Sequence, residues 1–112
     1  MVKITKKQLK DETVELENLK GAFKSFQFVN DEVSDEIFKR YCFKYLVFHC
    51  NLEKWCKSYK KGFKAINMEK YADVHGVYHE NEKFNNMDLI DKELYLMDLS
   101  YDIAFIKGYI KL

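Results

Sequence analysis

The fold is decided by one stretch in the middle of the chain, residues 34–66, which reads SDEIFKRYCFKYLVFHCNLEKWCKSYKKGFKAI. Apolar and aromatic side chains recur in it at steps of three and four residues, which place them on one face of an α-helix. The positions on this face are Phe38, Tyr41, Cys42, Tyr45, Phe48, His49, Leu52, Cys56 and Tyr59. A second apolar set begins on the opposite side around Phe43 and Val47, so we expect the middle of this helix to be covered on more than one face.

Helix signals along the whole chain predict three long helices, over residues 5–28, 34–61 and 87–111, and one shorter piece over residues 63–72. Thr5 with Gln8 three residues later forms a capping box at the first helix start. Ser34, which two acidic residues follow, is typical of an N-cap and marks the second start. Periodicity fades over residues 74–86, where we predict a loop whose first residues, 74–78, could also form a short strand.

The last segment, residues 88–112, fits two structures. As a helix it carries two apolar stripes on different sides, with a line of acidic residues between them. The stripes are Leu96, Leu99, Ile103, Ile106 and Ile110, and Ile90, Leu94, Met97, Tyr101, Phe105 and Leu112. As strands it also alternates, but it exceeds the usual strand of about 3 to 10 residues and contains no hairpin dipeptide. We therefore predict an all-α bundle with the C-terminal helix at its centre, and keep an α+β fold with a C-terminal β-hairpin as the alternative.

Length and composition indicate a single helical domain over residues 1–112. A chain of 112 residues lies in the usual size range of one domain, and its 47% hydrophobic and 16% aromatic content argues against disorder. No window approaches the roughly 20 apolar residues of a membrane span. The three cysteines are an odd number, and no apolar signal segment precedes them. We therefore expect a cytoplasmic protein without membrane contact.

Histidine and cysteine spacings do not predict a metal site. Cys42, His49 and Cys56 share a helical face, but two turns, about 10.5 Å, separate neighbours, whereas zinc holds each ligand at about 2.0 to 2.3 Å. His75 and His79 have the spacing of a helical metal pair, yet no cysteine pair accompanies them. We predict neither a metal nor a cofactor.

The sequence also lacks a group of residues whose types and spacing would predict a catalytic site. Cys50 follows His49 directly, and adjacent helical residues point about 100° apart, so the two cannot act as a dyad on this helix. Asp98 and Asp102 lie one turn apart and could hold magnesium, but no phosphate-binding glycine loop accompanies them. We interpret them as a solvated or lysine-facing acidic line, and we predict that the protein is not an enzyme.

Positive charge is concentrated in the middle of the chain. Residues 37–70 carry nine basic and two acidic side chains, a net of +7, whereas residues 1–36 and 71–112 carry −2 and −4. Lysines on one broad helix face can follow a phosphate backbone, and a tryptophan outside the core stripe could stack on a base. The predicted nucleic-acid-binding residues are Lys54, Trp55, Lys57, Lys60, Lys61 and Lys64. The alternative is a solvated helix face whose lysine stems cover apolar surface, with Trp55 in the core.

The aromatic excess predicts a protein partner. Two helices that are apolar on more than one side exceed what so short a chain can easily cover, and exposed tyrosines are typical of interfaces. We assign Tyr95, Tyr101 and Tyr109 to partner binding. The first hypothesis is a non-enzymatic accessory or adaptor subunit of a larger nucleic-acid-processing protein, in contact with DNA or RNA. The alternative is a small inhibitor or immunity protein that does not touch nucleic acid, and either could form a homo-oligomer.

Overall fold

The computed structural model describes residues 3–58 and 68–112. These residues form α1 (Lys6–Phe26), α2 (Asp31–Ser58), α3 (Met68–His79), α4 (Asn81–Asn85) and α5 (Leu89–Ile110), without a strand among them. The predicted all-α class is confirmed for this part of the chain. The alternative of a C-terminal β-hairpin is wrong, because the segment in question is one uninterrupted helix.

The first helix begins where the sequence predicts. The Thr5 hydroxyl accepts a hydrogen bond from the backbone N–H of Gln8 at 3.1 Å. This bond satisfies one of the N–H groups that a helix start leaves unpaired. Leu9, Leu16 and Phe23 are buried, and their seven-residue spacing keeps them on the face of α1 that packs against α2.

The second helix begins at Asp31, three residues before the predicted start at Ser34. The side-chain oxygen of Asn30 accepts the backbone N–H of Val33 at 3.1 Å, so Asn30 takes the capping role. Ser34 is buried in the helix and donates its hydroxyl to the Asp31 carbonyl at 3.0 Å. The prediction is wrong because asparagine caps a helix as well as serine does, and acidic residues also follow Asn30.

Helix also covers the region that was predicted to be a loop. Val74 and Val77 of α3 and Phe84 of α4 are buried, and α3 packs against α2. The predicted loop over 74–86 is wrong because this packing stabilises a helix that local periodicity barely signals. The predicted short helix over 63–72 agrees with α3 only from residue 68, since residues 63–67 lie outside the described residues.

The central element is α2, which packs against α1, α3 and α5. Phe38, Tyr41, Tyr45 and Phe48 of α2 are each at most 1% exposed and fill the core. By contrast, α5 buries one face and leaves the opposite face in solvent. The prediction that the C-terminal helix is central is therefore wrong: α1 and α3 cover α2, and α5 is covered on its inner side alone.

The last helix has well-defined ends and one buried stripe. Asp88 and Asp91 form a reciprocal capping box, with the Asp91 N–H donating to the Asp88 carboxylate at 2.8 Å. The buried apolar side chains are Leu96, Leu99, Ile103, Ile106 and Ile110. Among the described helices, none has the combined length and apolar character that crossing a bilayer requires.

Candidate interaction surface

The histidine and cysteine face of α2 is part of the core. Cys42, His49 and Cys56 are all buried, and burial raises the pKa of the Cys42 thiol to about 12. Such a thiol stays protonated at neutral pH and is a poor nucleophile or metal ligand. In residues 3–58 and 68–112 no group of three or more His, Cys, Asp or Glu side chains is placed to hold a metal ion.

The packing of α3 on α2 brings Tyr71 next to residues whose proximity the sequence did not reveal. The Cys50 sulfur lies 3.5 Å from the Tyr71 hydroxyl, and the Tyr71 ring centroid lies 4.9 Å from that of His49. On the same helix, the His75 and His79 rings are 4.3 Å apart, and both residues are exposed. The Tyr71 contacts pack α3 on α2, the histidine contact lies within α3, and neither brings a nucleophile together with a base.

The acidic line of α5 faces a lysine of α3. Lys70 forms an ion pair with Asp98, and its ammonium lies 3.8 Å from the Asp102 carboxylate. Burial raises the pKa of Asp102, and the neighbouring Lys70 charge opposes that shift. This is the lysine-facing arrangement that the sequence offered as an alternative to a magnesium site.

A groove between α2 and α3 has a cavity volume of about 470 Å³. It is lined by Glu36, Lys39, Arg40, Phe43, Tyr78 and His79. Its charges are mixed, and the Lys39 ammonium lies 4.6 Å from the Phe84 ring centroid rather than standing alone in the groove. The lining therefore does not define a class of ligand.

The predicted nucleic-acid-binding residues divide into three groups. Lys54 and Lys57 are exposed on α2, and Lys57 forms an ion pair with Glu53 at 3.2 Å. Trp55 is only 4% exposed, with the Lys6 ammonium 5.7 Å from its ring centroid. The remaining three, Lys60, Lys61 and Lys64, lie outside the described residues.

The prediction that Trp55 lies outside the core stripe is wrong, and the alternative that placed Trp55 in the core is confirmed. Phe48, Leu52 and Trp55 follow one another at steps of four and three residues, so Trp55 continues the buried stripe of α2. Its indole cannot stack on a base while it is buried there. Stacking would require the ring to leave the core, which costs the free energy of burying an aromatic side chain.

The three predicted partner-binding tyrosines differ in how exposed they are. Tyr95 is half-buried, its hydroxyl donates to Asp73, and its ring centroid lies 6.0 Å from that of Phe38. Tyr101 and Tyr109 are 65% and 45% exposed. Tyr95 thus secures α5 to α3 and the core, and the other two point to solvent.

The exposed tyrosines belong to a larger surface, which we name the outer α5 face. It consists of Ile90, Leu94, Tyr101, Phe105 and Tyr109, whose exposed fractions range from 45% to 65%. The rings of the last two stack at a centroid distance of 6.3 Å and an interplanar angle of 17°. The face spans about 28 Å along the helix at 1.5 Å per residue. The sequence revealed this stripe, and we interpreted it there as one side of a central helix while assigning Tyr101 and Tyr109 to partner binding.

Paired polar groups border the outer α5 face on both sides. Towards α1, Glu93 accepts from Gln27 at 2.9 Å, and Lys107 donates to Glu17 at 3.0 Å. Towards α3, Lys70 pairs with Asp98. An apolar centre within a polar margin is the usual organisation of a protein interface.

A second apolar exposure lies at the turn between α1 and α2. Phe28 and Val29 are 74% and 79% exposed, the highest values among the large apolar side chains described. Gln27, just before them, donates to the Leu89 carbonyl, so this turn lies at the same end of the molecule as the start of α5.

No known protein indicates what the outer α5 face binds. Comparison of the chain with protein-family models, with curated proteins and with solved structures gives no match in any of the three cases.

Proposed function

We propose that this protein is a small non-enzymatic adaptor subunit that acts by binding another protein through the outer α5 face. The single observation that supports this most strongly is the exposure of five large apolar side chains along one face of a regular helix. Isolated exposed apolar residues are ordinary on a protein surface, but a continuous row of them is not.

The size of the face supports the same function. Five side chains of this kind, each about half exposed, present on the order of 500 Å² of surface, which is near the upper end for the largest apolar patch of a monomer. Phe105, Tyr101 and Tyr109 supply the aromatic rings that contribute most to interface energies. Burying them against a partner would remove this surface from water.

The identity of the larger partner is proposed from charge. The net +7 of residues 37–70 favours a nucleic-acid-processing protein, with DNA or RNA contacted by the lysines of that block. Lys54 and Lys57 are exposed, and Lys57 would exchange its ion pair with Glu53 for this contact. Trp55 is no longer part of the proposed contact, because its ring is buried.

The nucleic-acid contact is tested by reversing charge on α2. A Lys54→Glu/Lys57→Glu variant should weaken the low-salt mobility shift of single- and double-stranded DNA, and the slope of log affinity against log salt should fall by about 2. Lys10→Glu/Lys24→Glu, two exposed lysines of α1, is the matched control and should bind as wild type does. Equal binding by both variants would contradict the assignment of these lysines.

A second candidate function is favoured by the burial of Trp55. An inhibitor or immunity protein would use the outer α5 face to block its target and would need neither a stacking ring nor a basic patch. Unchanged DNA mobility with the wild-type protein at low salt would support this candidate over the first.

The proposed binding surface is tested by capture. The tagged wild-type chain should retain a bound protein from a lysate of its source, and Phe105→Glu should lose it, because a carboxylate would be buried unpaired in the interface. Val14→Glu, at a 45% exposed position on α1, is the matched control and should capture normally. Equal retention by the Phe105 and Val14 variants would refute the outer α5 face as the binding surface.

A further inference from the structure

We propose that the outer α5 face binds a second copy of this chain, with the two α5 helices antiparallel across a two-fold axis. This inference rests on the proposed function, because it names the occupant of the surface described above. The second copy would then occupy the outer α5 face, and a larger partner would bind the paired chains at another surface. The inference depends on α5 being complementary to a second copy of itself. Binding to an unrelated protein does not require that property.

Six positions on the solvent side of α5, three of which belong to the outer α5 face, have the spacing of a helix-pairing seam. The seam positions, separated by steps of four and three residues, are Ile90, Leu94, Met97, Tyr101, Ala104 and Gly108. A repeat of this kind averages 3.5 residues and keeps one stripe in contact with a second helix along its length. The opposite face of α5 is already filled by its packing on α1 and α2, so the seam is directed away from the core.

Side-chain size divides the seam into two halves. Its N-terminal half carries the large residues Ile90, Leu94 and Met97, and its C-terminal half ends in the small residues Ala104 and Gly108. A parallel pair would place each position against itself, and would crowd one end while leaving the other empty.

An antiparallel pair matches the two outer large residues with small ones and leaves the two central large residues facing each other. With the axis between Met97 and Tyr101, Ile90 lies opposite Gly108 of the second copy. Leu94 lies opposite Ala104 of the second copy, and the two central residues lie opposite each other. In each layer, a residue at one of the two apolar positions of the heptad faces a residue at the other position. Antiparallel pairing of two helices requires this arrangement.

Gly108 has no evident role within one chain. A Cβ atom built there meets nothing within 4 Å, so the fold of the monomer leaves room for a larger residue. Glycine inside a helix is less favourable than alanine. Close approach of a second helix would use the missing side chain, and the position lies on the seam.

The buried area is that of a weak, reversible pair. Two outer α5 faces together would bury on the order of 1,000 Å², somewhat less than the roughly 1,200 Å² at which stable interfaces begin. On the α1 side, Glu93 would approach Lys107 of the second copy, so that edge pairs opposite charges. Two copies of Asp98 would meet near the axis, and Lys70 of each chain already neutralises its own Asp98.

Mass in solution tests the pair with the purified full chain. Sedimentation equilibrium between about 1 and 100 µM, where interfaces of this size associate, should show a monomer–dimer equilibrium for wild type. Tyr101→Glu should raise the dimer dissociation constant about 100-fold, because each dimer would bury two unpaired carboxylates. Val14→Glu should leave the constant unchanged, and circular dichroism should show equal helix content in all three. A wild type that remains monomeric, or a Tyr101→Glu variant that pairs normally, would overturn the inference.

Gly108→Leu separates the antiparallel pair from unspecific association. The new side chain enlarges the apolar face and has open space in the monomer, so unspecific association would tighten. In the antiparallel pair it collides with Ile90 of the second copy, and the dissociation constant should rise at least about tenfold. A Gly108→Leu variant that pairs more tightly than wild type would exclude this geometry.

Disulfide formation reports the orientation directly. A mixture of the Leu94→Cys and Ala104→Cys variants should form a mixed cross-link, whereas each variant alone should form little, since identical positions lie about 15 Å apart along the helix. Strong self-linking of each variant would show a parallel pair and refute the proposal. If wild type is monomeric yet Phe105→Glu still abolishes capture of another protein, the second copy is excluded and the proposed function stands.

Discussion

Replacing Phe38 with alanine should lower the free energy of unfolding by about 4 kcal/mol. The ring is completely buried, and its centroid lies 5.7 Å from that of Phe84, 6.0 Å from that of Tyr95 and 6.3 Å from that of Phe23. It therefore joins α2 to α4, α5 and α1. Alanine would lose the transfer free energy of the ring and leave a cavity that three other rings cannot close. Urea unfolding followed by circular dichroism measures the change.

Phe28→Ala is the matched control for this prediction. The same truncation at a 74% exposed position should change the free energy of unfolding by no more than about 0.5 kcal/mol. Both variants must be compared at one protein concentration, because pairing through α5 would make stability depend on it. A loss below about 1 kcal/mol for Phe38→Ala would mean that the aromatic junction is not a main source of stability.

The inner side of the fold was predictable because its periodicity is strong and its side chains are large. Phe38, Tyr41, Tyr45 and Phe48 recur at three and four residues, and all four are buried as that spacing predicts. The α5 stripe that begins at Leu96 is buried for the same reason. Periodicity indicates which residues share a face, and on α2 it also indicated which face packs.

The outer side was not predictable, because periodicity does not say whether a shared face is covered. The Leu94 and Tyr101 stripe has the same apolar pattern as the buried stripe of α5, and only the packing of α1, α2 and α3 shows that it remains in solvent. Trp55 illustrates the reverse error. Basic neighbours suggested a surface position, whereas its spacing from Phe48 and Leu52 continues the core.

Contacts between distant segments explain the remaining differences. Polar residues around His75 and His79 resemble a loop in sequence, and the helix there depends on Val74 and Val77 packing against α2. The ion pair between Lys70 and the acidic line of α5 joins residues 28 positions apart, which no local pattern reveals. The exposure of the outer α5 face likewise depends on how the helices pack against one another.

Asp35→Ala should lower the free energy of unfolding by about 3 kcal/mol, because it leaves a buried ammonium without its counter-ion. Lys92 is only 5% exposed, and its ammonium lies 2.7 Å from the Asp35 carboxylate and 4.1 Å from the Phe84 ring centroid. The ring attracts the cation but does not replace a full negative charge. Urea unfolding at neutral pH measures the loss.

The two partners of this ion pair should respond unequally to mutation, since the Asp35 side chain is 37% exposed and water can solvate it when the lysine is removed. Lys92→Met should therefore cost no more than about 1 kcal/mol, and Asp35→Ala/Lys92→Met should restore most of the stability that Asp35→Ala loses. Glu17→Ala is the matched control, because it breaks the exposed ion pair with Lys107 and should cost at most about 1 kcal/mol. If the double variant is no more stable than Asp35→Ala, the loss comes from Asp35 itself and not from the stranded charge on Lys92. A double variant close to wild type, the expected result, would show that the ion pair adds little net stability and that the loss in Asp35→Ala comes from the charge left unpaired on Lys92.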